Sequence, residues 1–137
     1  MIRSILIGSA LCLLATAAAR AEAPSQKGYT IQVNAPEAKA GQAAQASVVV
    51  KPAAGMHVNQ EYPTHITVAY PAGVEGKAGK QKASRLEKTS AQFDVGYTAK
   101  DAGQKTINAT VNFAVCDDAG TRCDPRKEQV TMTVNVK

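Results

Sequence analysis

The stretch TINATVNFAVCDDAGTRCDPRKEQVTMTVNV, residues 106–136, contains two alternating segments joined by a polar turn. Apolar residues occupy every second position of both segments: Ile107, Ala109, Val111, Phe113 and Val115 in the first, and Val130, Met132, Val134 and Val136 in the second. Alternation with a period of two is typical of a strand that buries one face. The stretch therefore predicts an antiparallel hairpin with its turn at residues 117–122, and it assigns Met132 to the core.

The same alternation recurs along the chain between glycine- and proline-containing turns. YTIQV (29–33) predicts Tyr29, Ile31 and Val33 on one face, and THITVAY (64–70) and AQFDVGYTA (91–99) alternate in the same way. No segment shows an amphipathic helical stripe, and residues 73–88, GVEGKAGKQKASRLEK, are predicted as a mobile loop or weak edge strand. About six or seven strands in roughly 100 residues indicate an all-β fold, an immunoglobulin-like antiparallel β-sandwich.

The N-terminus has the features of a cleaved signal peptide. Arg3 precedes an apolar run that ends in small residues with an A-x-A site at Ala19-Arg20-Ala21, and the run is shorter than the roughly 20 residues of a membrane-spanning helix. We expect residues 1–21 to be removed, residues 22–27 to form a flexible tail and residues 28–137 to form one domain. The expected location is the periplasm, with no membrane span in the mature chain.

The charge balance argues against nucleic acid as a partner. Loss of Arg3 and Arg20 leaves 14 basic against 11 acidic residues, a net charge near +3. The lysines are scattered over turns and strand faces instead of forming one basic patch. Solubilising charge is therefore the simpler interpretation.

The pair Cys116 and Cys123 is the candidate functional site. Cys12 lies in the segment that we expect to be cleaved, so these two cysteines remain. At the facing ends of a hairpin, their Cα atoms are expected within the roughly 4.4–6.8 Å that a disulfide requires. Closing so small a ring contributes only about 2–2.5 kcal/mol, which favours redox use but leaves a structural clasp open. Cys116, at a strand end, is expected to be the more sheltered of the two.

Other chemistries have weaker support. The sequence lacks the Cys-His-Met run of a blue-copper site and the four closely spaced ligands of a structural zinc site. His57 and His65 are interpreted as ordinary surface or edge histidines. No serine nucleophile motif occurs, and no metal or cofactor is expected.

Two motifs resemble a known family. VNFAVCDDAGTRCDPRKEQVTMTV (111–134) and GMHVNQEYPTHITVAYPAGV (55–74) resemble the N-terminal periplasmic domain of the thiol:disulfide interchange protein DsbD. The resemblance implies an immunoglobulin-like fold in which Cys116 and Cys123 exchange thiols, with Cys123 forming the mixed disulfide. It also implies thioredoxin-like or membrane thiol-reductase proteins as partners.

The chain departs from the family pattern in two places near the cysteines. The loop between them has one residue more than the family pattern, and VEGKAGKQKAS (74–84), which matches the family's cap loop, lacks an aromatic residue. The leading hypothesis is an exported thiol–disulfide exchange domain. The alternatives are a periplasmic binding or assembly module with a structural disulfide, and copper handling through Met56, His57 and the thiols.

Overall fold

A computed structural model describes residues 27–137, so the predicted signal peptide (1–21) and nearly all of the predicted tail (22–27) lie outside the described residues. The described chain is built from β-strands and turns, with no helix among residues 27–137. The strands are β1 (Tyr29–Asn34), β2 (Ala43–Pro52), β3 (Met56–Val58), β4 (His65–Ala69), β5 (Val74–Gly76), β6 (Gly79–Lys82), β7 (Arg85–Glu87), β8 (Ser90–Ala99), β9 (Gly103–Asp117) and β10 (Cys123–Val136).

The strands form two antiparallel sheets. The first has the order β1-β2-β8-β5, with β7 also paired to β8; the second has the order β10-β9-β4-β6, with β3 also paired to β9. In chain order, β1, β2, β4, β5, β8, β9 and β10 correspond to the seven strands of the constant-type immunoglobulin arrangement, whose sheets have the orders A-B-E-D and G-F-C. The all-β, immunoglobulin-like sandwich predicted from the sequence is thus the observed fold.

The core lies between the inner faces of the two sheets, as the alternation predicts. The predicted inward residues of β8, β9 and β10 are buried, and Phe93, Phe113, Ile107 and Met132 are fully buried. Strand β1 departs from the prediction, because Tyr29 is buried but Val33 is 41% exposed. Val33 lies near the end of β1, which is an edge strand of its sheet.

The segment predicted as a loop or weak edge strand forms three short strands, β5, β6 and β7. Together with β3, they bring the strand number within residues 27–137 to ten, so the estimate of six or seven was wrong. Each of the four has three or four residues. Such pieces show too few alternations for a period to be recognised, and their pairing partners define them instead.

At Gly76 in β5, the absence of a side chain lets the Tyr70 ring lie close to the backbone. A Cβ atom at this position would lie 2.3 Å from Tyr70 Cζ and 2.7 Å from the carbonyl oxygen of Gly96. Tyr70 itself donates its hydroxyl hydrogen to that same carbonyl, at 2.8 Å. The tyrosine ring therefore packs over a position that accepts only glycine.

Tyr29 connects β1 to the hairpin β9–β10. Its ring makes an edge-to-face contact with Phe113 at 4.9 Å between centroids, its hydroxyl donates a hydrogen bond to the Glu128 carboxylate, and Arg126 lies 5.9 Å from its ring centroid. Burial, followed by the hydrogen bond to Glu128, raises the pKa of Tyr29 from 10.0 to about 12.

No helix long and apolar enough to cross a membrane occurs in the part of the chain that the structure describes.

Candidate functional site

A disulfide joins the last residues of the ladder between β9 and β10 on the side of their connecting turn. Cys116 and Cys123 are direct partners in the antiparallel register, their sulfur atoms are 2.00 Å apart and their Cα atoms 4.0 Å apart. The adjacent pair is hydrogen-bonded, from the Asp117 amide to the Arg122 carbonyl at 2.9 Å. Cys116 and Cys123 therefore occupy the close, non-hydrogen-bonded type of pair. The prediction that they face each other across a hairpin is confirmed, and their Cα separation is shorter than the predicted range of roughly 4.4–6.8 Å.

The two cysteines differ sharply in exposure. Cys116 is 3% exposed, whereas Cys123 is an exposed residue. The difference follows from the sheet order, because β9 is flanked by β10 on one side and by β3 and β4 on the other, while β10 lies at the sheet edge. The sequence-based prediction that Cys116 is the more sheltered cysteine is confirmed.

The turn between the cysteines is organised by one carboxylate. Asp117 accepts hydrogen bonds from the hydroxyl of Thr121, from the amide of Thr121 at 2.8 Å and from the amide of Arg122 at 3.1 Å. These bonds, that of the Thr121 hydroxyl foremost, lower the pKa of Asp117. Asp117 therefore remains ionised and holds the turn that sets the two cysteines opposite each other.

The remaining charges near the turn largely pair with one another. Arg122 lies 2.9 Å from the Asp124 carboxylate, and Arg126 lies 3.7 Å from it. Acidic residues raise and basic residues lower the pKa of a nearby thiol, and here the two arginines share one carboxylate.

His57 is a functional candidate that the sequence analysis interpreted as an ordinary histidine and otherwise named only in the copper alternative. It lies on β3 directly opposite Cys116 in the antiparallel register, and its Nδ1 atom is 3.1 Å from Asp118 Oδ1 in the β9–β10 turn. The sequence signal was weak, since β3 has only three residues and the pairing with β9 is long-range. His65, by contrast, is opposite Asn112 and has its Nδ1 atom 2.7 Å from the Pro63 carbonyl oxygen.

A cavity of about 290 Å³ is lined by both cysteines and His57. Its lining is completed by the segment 58–61, which consists of the last residue of β3 and the three residues after it, and by Lys88 and Gly120. This segment is fixed at several points, because the Val58 amide donates to the Lys88 carbonyl at 2.8 Å and the Asn59 amide to the Ala114 carbonyl at 2.9 Å.

The segment expected to match a cap loop, residues 74–84, lies elsewhere. It forms β5 and β6, which pair with β8 and β4, and it does not contribute to the lining of the cysteine cavity. The wall beside the cysteines is instead built by residues 58–61. The segment that the family resemblance matches to a cap loop therefore does not line the cysteine cavity in this chain.

Metal ligation finds little support in the arrangement of side chains. Within residues 27–137 no cluster of three or more His, Cys, Asp or Glu side chains is suited to hold a metal ion. Met56, one residue before His57, contacts the core instead.

No protein-family model and no curated protein sequence matches this chain. Solved structures of similar shape include the CARDB domain of PF1109 from Pyrococcus furiosus, at 22% identity and a TM-score of 0.47, covering 80% of this chain and 94% of that chain. They also include a non-cellulosomal cohesin from Archaeoglobus fulgidus, at 14% identity and a TM-score of 0.43, covering 80% and 91%. A third is AggA, the major subunit of aggregative adherence fimbriae type I from Escherichia coli, at 12% identity and a TM-score of 0.42, covering 80% and 94%.

These scores are too low to transfer any property, so the class of the protein follows from its own strands and side chains. It is an immunoglobulin-like β-sandwich with a cross-strand disulfide at the turn end of the hairpin β9–β10.

Proposed function

We propose that this chain is an exported thiol–disulfide exchange domain that relays electrons between periplasmic thiol proteins through Cys116 and Cys123. The observation that carries the proposal is the unequal exposure of the two bonded cysteines, one exposed and one 3% exposed. An exchange reaction needs one sulfur that a partner can reach and a second that is kept for the internal step. Cys123 and Cys116 fit these two roles.

The exchange proceeds in two balanced steps. A thiolate of a reduced partner attacks Cys123 Sγ, a bond forms between the partner sulfur and Cys123, and the Cys116–Cys123 bond breaks with Cys116 leaving as a thiolate. A second partner thiolate then attacks the partner's sulfur in the mixed disulfide and releases Cys123. The partner is oxidised to a disulfide, and this domain gains two electrons and two protons as a dithiol, which it returns to an oxidised acceptor by the reverse steps.

The location of the disulfide suits this chemistry. It lies beyond the buried core, at the end of a ladder whose remaining register extends to Val136 opposite Gly103. Breaking the bond therefore leaves the long pairing of β9 with β10 in place. The resemblance to the DsbD N-terminal domain, together with the predicted signal peptide, supports thioredoxin-like or membrane thiol-reductase partners in the periplasm.

Trapping of mixed disulfides tests the assignment of the two cysteines. The protein, with Cys12→Ser throughout, is mixed with a thioredoxin-like protein whose resolving cysteine is replaced by serine and whose remaining cysteine is activated as a mixed disulfide with a chromogenic thiol. The Cys116→Ser variant should form a stable covalent adduct through Cys123. The Cys123→Ser variant should form little, because Cys116 is shielded by its neighbours. Equal trapping by both variants, or by neither, would contradict the proposal.

The reduction potential separates exchange from a structural clasp. We expect a value of about −120 to −270 mV, the range in which known exchange proteins operate. A value below about −300 mV is typical of structural disulfides, and it would assign the chain to the alternative class of binding or assembly modules with a stabilised hairpin. Thiol alkylation after equilibration in defined redox buffers gives the value.

A further inference from the structure

We infer that His57, held in place by Asp118, is the acid–base group that exchanges a proton with the Cys116 sulfur. This inference rests on the proposed function and adds a residue to it. It assigns His57 to Cys116, the buried cysteine, whereas Cys123 is the cysteine that the partner attacks.

The first argument is the alignment of three side chains across three adjacent strands. His57 on β3 is opposite Cys116 on β9, and Cys116 is in turn opposite Cys123 on β10. Directly opposed residues of antiparallel strands point to the same face, with Cβ atoms about 4.5–5.5 Å apart. The three residues therefore form one row, and all three line the same cavity of about 290 Å³.

The second argument is the orientation of the imidazole. Asp118 Oδ1 lies 3.1 Å from His57 Nδ1, and a carboxylate can only accept a hydrogen bond, so Nδ1 carries the hydrogen. A carboxylate on one ring nitrogen fixes the tautomer of the imidazole. The proton that the ring gains or loses is then on Nε2.

The third argument is the solvation of Cys116. When a partner attacks Cys123, Cys116 leaves as a thiolate at a position that is 3% exposed. An anion shielded from water is costly unless a charge or a proton donor compensates it. Protonated His57 supplies that compensation and can pass its Nε2 proton to the leaving sulfur. In the reverse direction, neutral Nε2 accepts the proton of the Cys116 thiol as this sulfur attacks the mixed disulfide at Cys123.

Three charged groups from other elements also lie around the cavity or its turn. Glu61, from the segment after β3, and Lys88, from the turn before β8, line the same cavity with opposite signs. Asp117 is opposite Met56 in the register, and its carboxylate is engaged by the turn, with Thr121 and Arg122 as donors. Asp118 is the group in direct contact with the imidazole.

The test measures the Cys116 thiolate directly, without a redox partner. In a Cys12→Ser/Cys123→Ser background Cys116 is the remaining cysteine, so its ultraviolet thiolate absorbance against pH reports this sulfur alone. A neighbouring cation favours the thiolate and lowers the pKa of a thiol by about one unit or more. We therefore expect His57→Asn to lower the thiolate fraction at neutral pH about tenfold or more, with a smaller loss for Asp118→Asn.

His65→Asn is the matched control, since it replaces the other histidine of the chain at a position opposite Asn112. It should leave the titration unchanged. His57→Gln, with a longer amide, is the second variant in case His57→Asn unfolds, and far-ultraviolet circular dichroism checks that each variant is folded. If Cys116 titrates in both His57 variants as it does in the His65→Asn control, the inference is overturned, even if the wild-type protein exchanges disulfides.

The two proposals fail in distinguishable ways. If neither single-cysteine variant traps the partner but the Cys116 titration depends on His57, the exchange function is refuted and the proton contact is supported. A protein that exchanges normally and whose rate of reduction has the same pH profile with His57→Asn as with His65→Asn would refute the role of His57 alone.

Discussion

Replacement of both cysteines by alanine removes the cross-strand bond and provides the sharpest test of how much the fold depends on it. Cys116 and Cys123 are seven positions apart in the sequence. The chain-entropy relation for a ring of this size gives a loss of about 2–2.5 kcal/mol in the free energy of unfolding. Alanine is preferred to serine because Cys116 is buried and a hydroxyl there would need a new partner.

The same magnitude links folding to the redox reaction. Whatever free energy the disulfide adds to the native state, the native state adds to the disulfide, so about 2–2.5 kcal/mol corresponds to about 50 mV relative to the unfolded chain. This is a small bias. It leaves the potential of the pair within reach of other thiol proteins, as the exchange function requires.

Urea unfolding of the double variant and of the oxidised and reduced wild-type protein, with Cys12→Ser throughout, measures this loss. The double variant and the reduced protein should show similar midpoints, both below that of the oxidised protein. Reduction that unfolds the domain outright, or costs more than about 5 kcal/mol, would exceed the usual range for one disulfide. Such a result would refute the reasoning that the hairpin is held by its own ladder and the core.

Two further predictions concern positions away from the disulfide. Gly76→Ala should destabilise the fold by about 1–3 kcal/mol in urea unfolding, since an added Cβ meets the Tyr70 ring and a backbone carbonyl. Gly96→Ala, where nothing lies within 4 Å of an added Cβ, is the control and should cost far less; equal losses would contradict the packing argument. The raised pKa of Tyr29 means that the stability contributed by its protonated hydroxyl is complete below pH 10 and is lost as pH rises to about 12. Tyr29→Phe should therefore show a shallower loss of stability between pH 10 and 12 in urea titrations, and an unchanged slope would contradict this assignment.

The periodic parts of the chain were predictable because their pattern is local. In β8, in residues 107–115 of β9 and in residues 130–136 of β10 every second residue is apolar, and those residues are buried. The position of the cysteines followed from the same periodicity, because a hairpin whose register is known also specifies which residues face each other across it. Val33 was the exception, since burial at a sheet edge depends on what the opposite sheet covers.

The non-local parts of the site were not predictable from the pattern. Strand β3 is three residues long and has no period of its own. Strand β4 pairs with residues 108–112 of β9, which leaves residues 115–117 of β9 to pair with β3. That pairing places His57 beside Cys116. The segment that lines the cavity was likewise not indicated by the sequence, because residues 74–84, which resemble the family's cap loop, extend the two sheets through β5 and β6.

The sequence by itself determined an all-β sandwich, its buried faces and a cysteine pair at the mouth of a hairpin, because alternation and turn residues act between near neighbours. The tertiary structure decided how completely Cys116 is buried, which segment lines the cavity beside the pair, and which histidine lies next to them. Those properties depend on strand order within a sheet, where β9 is internal and β10 is an edge. That order results from burying the two apolar faces against each other, a free energy shared by the whole core and not encoded in any single segment.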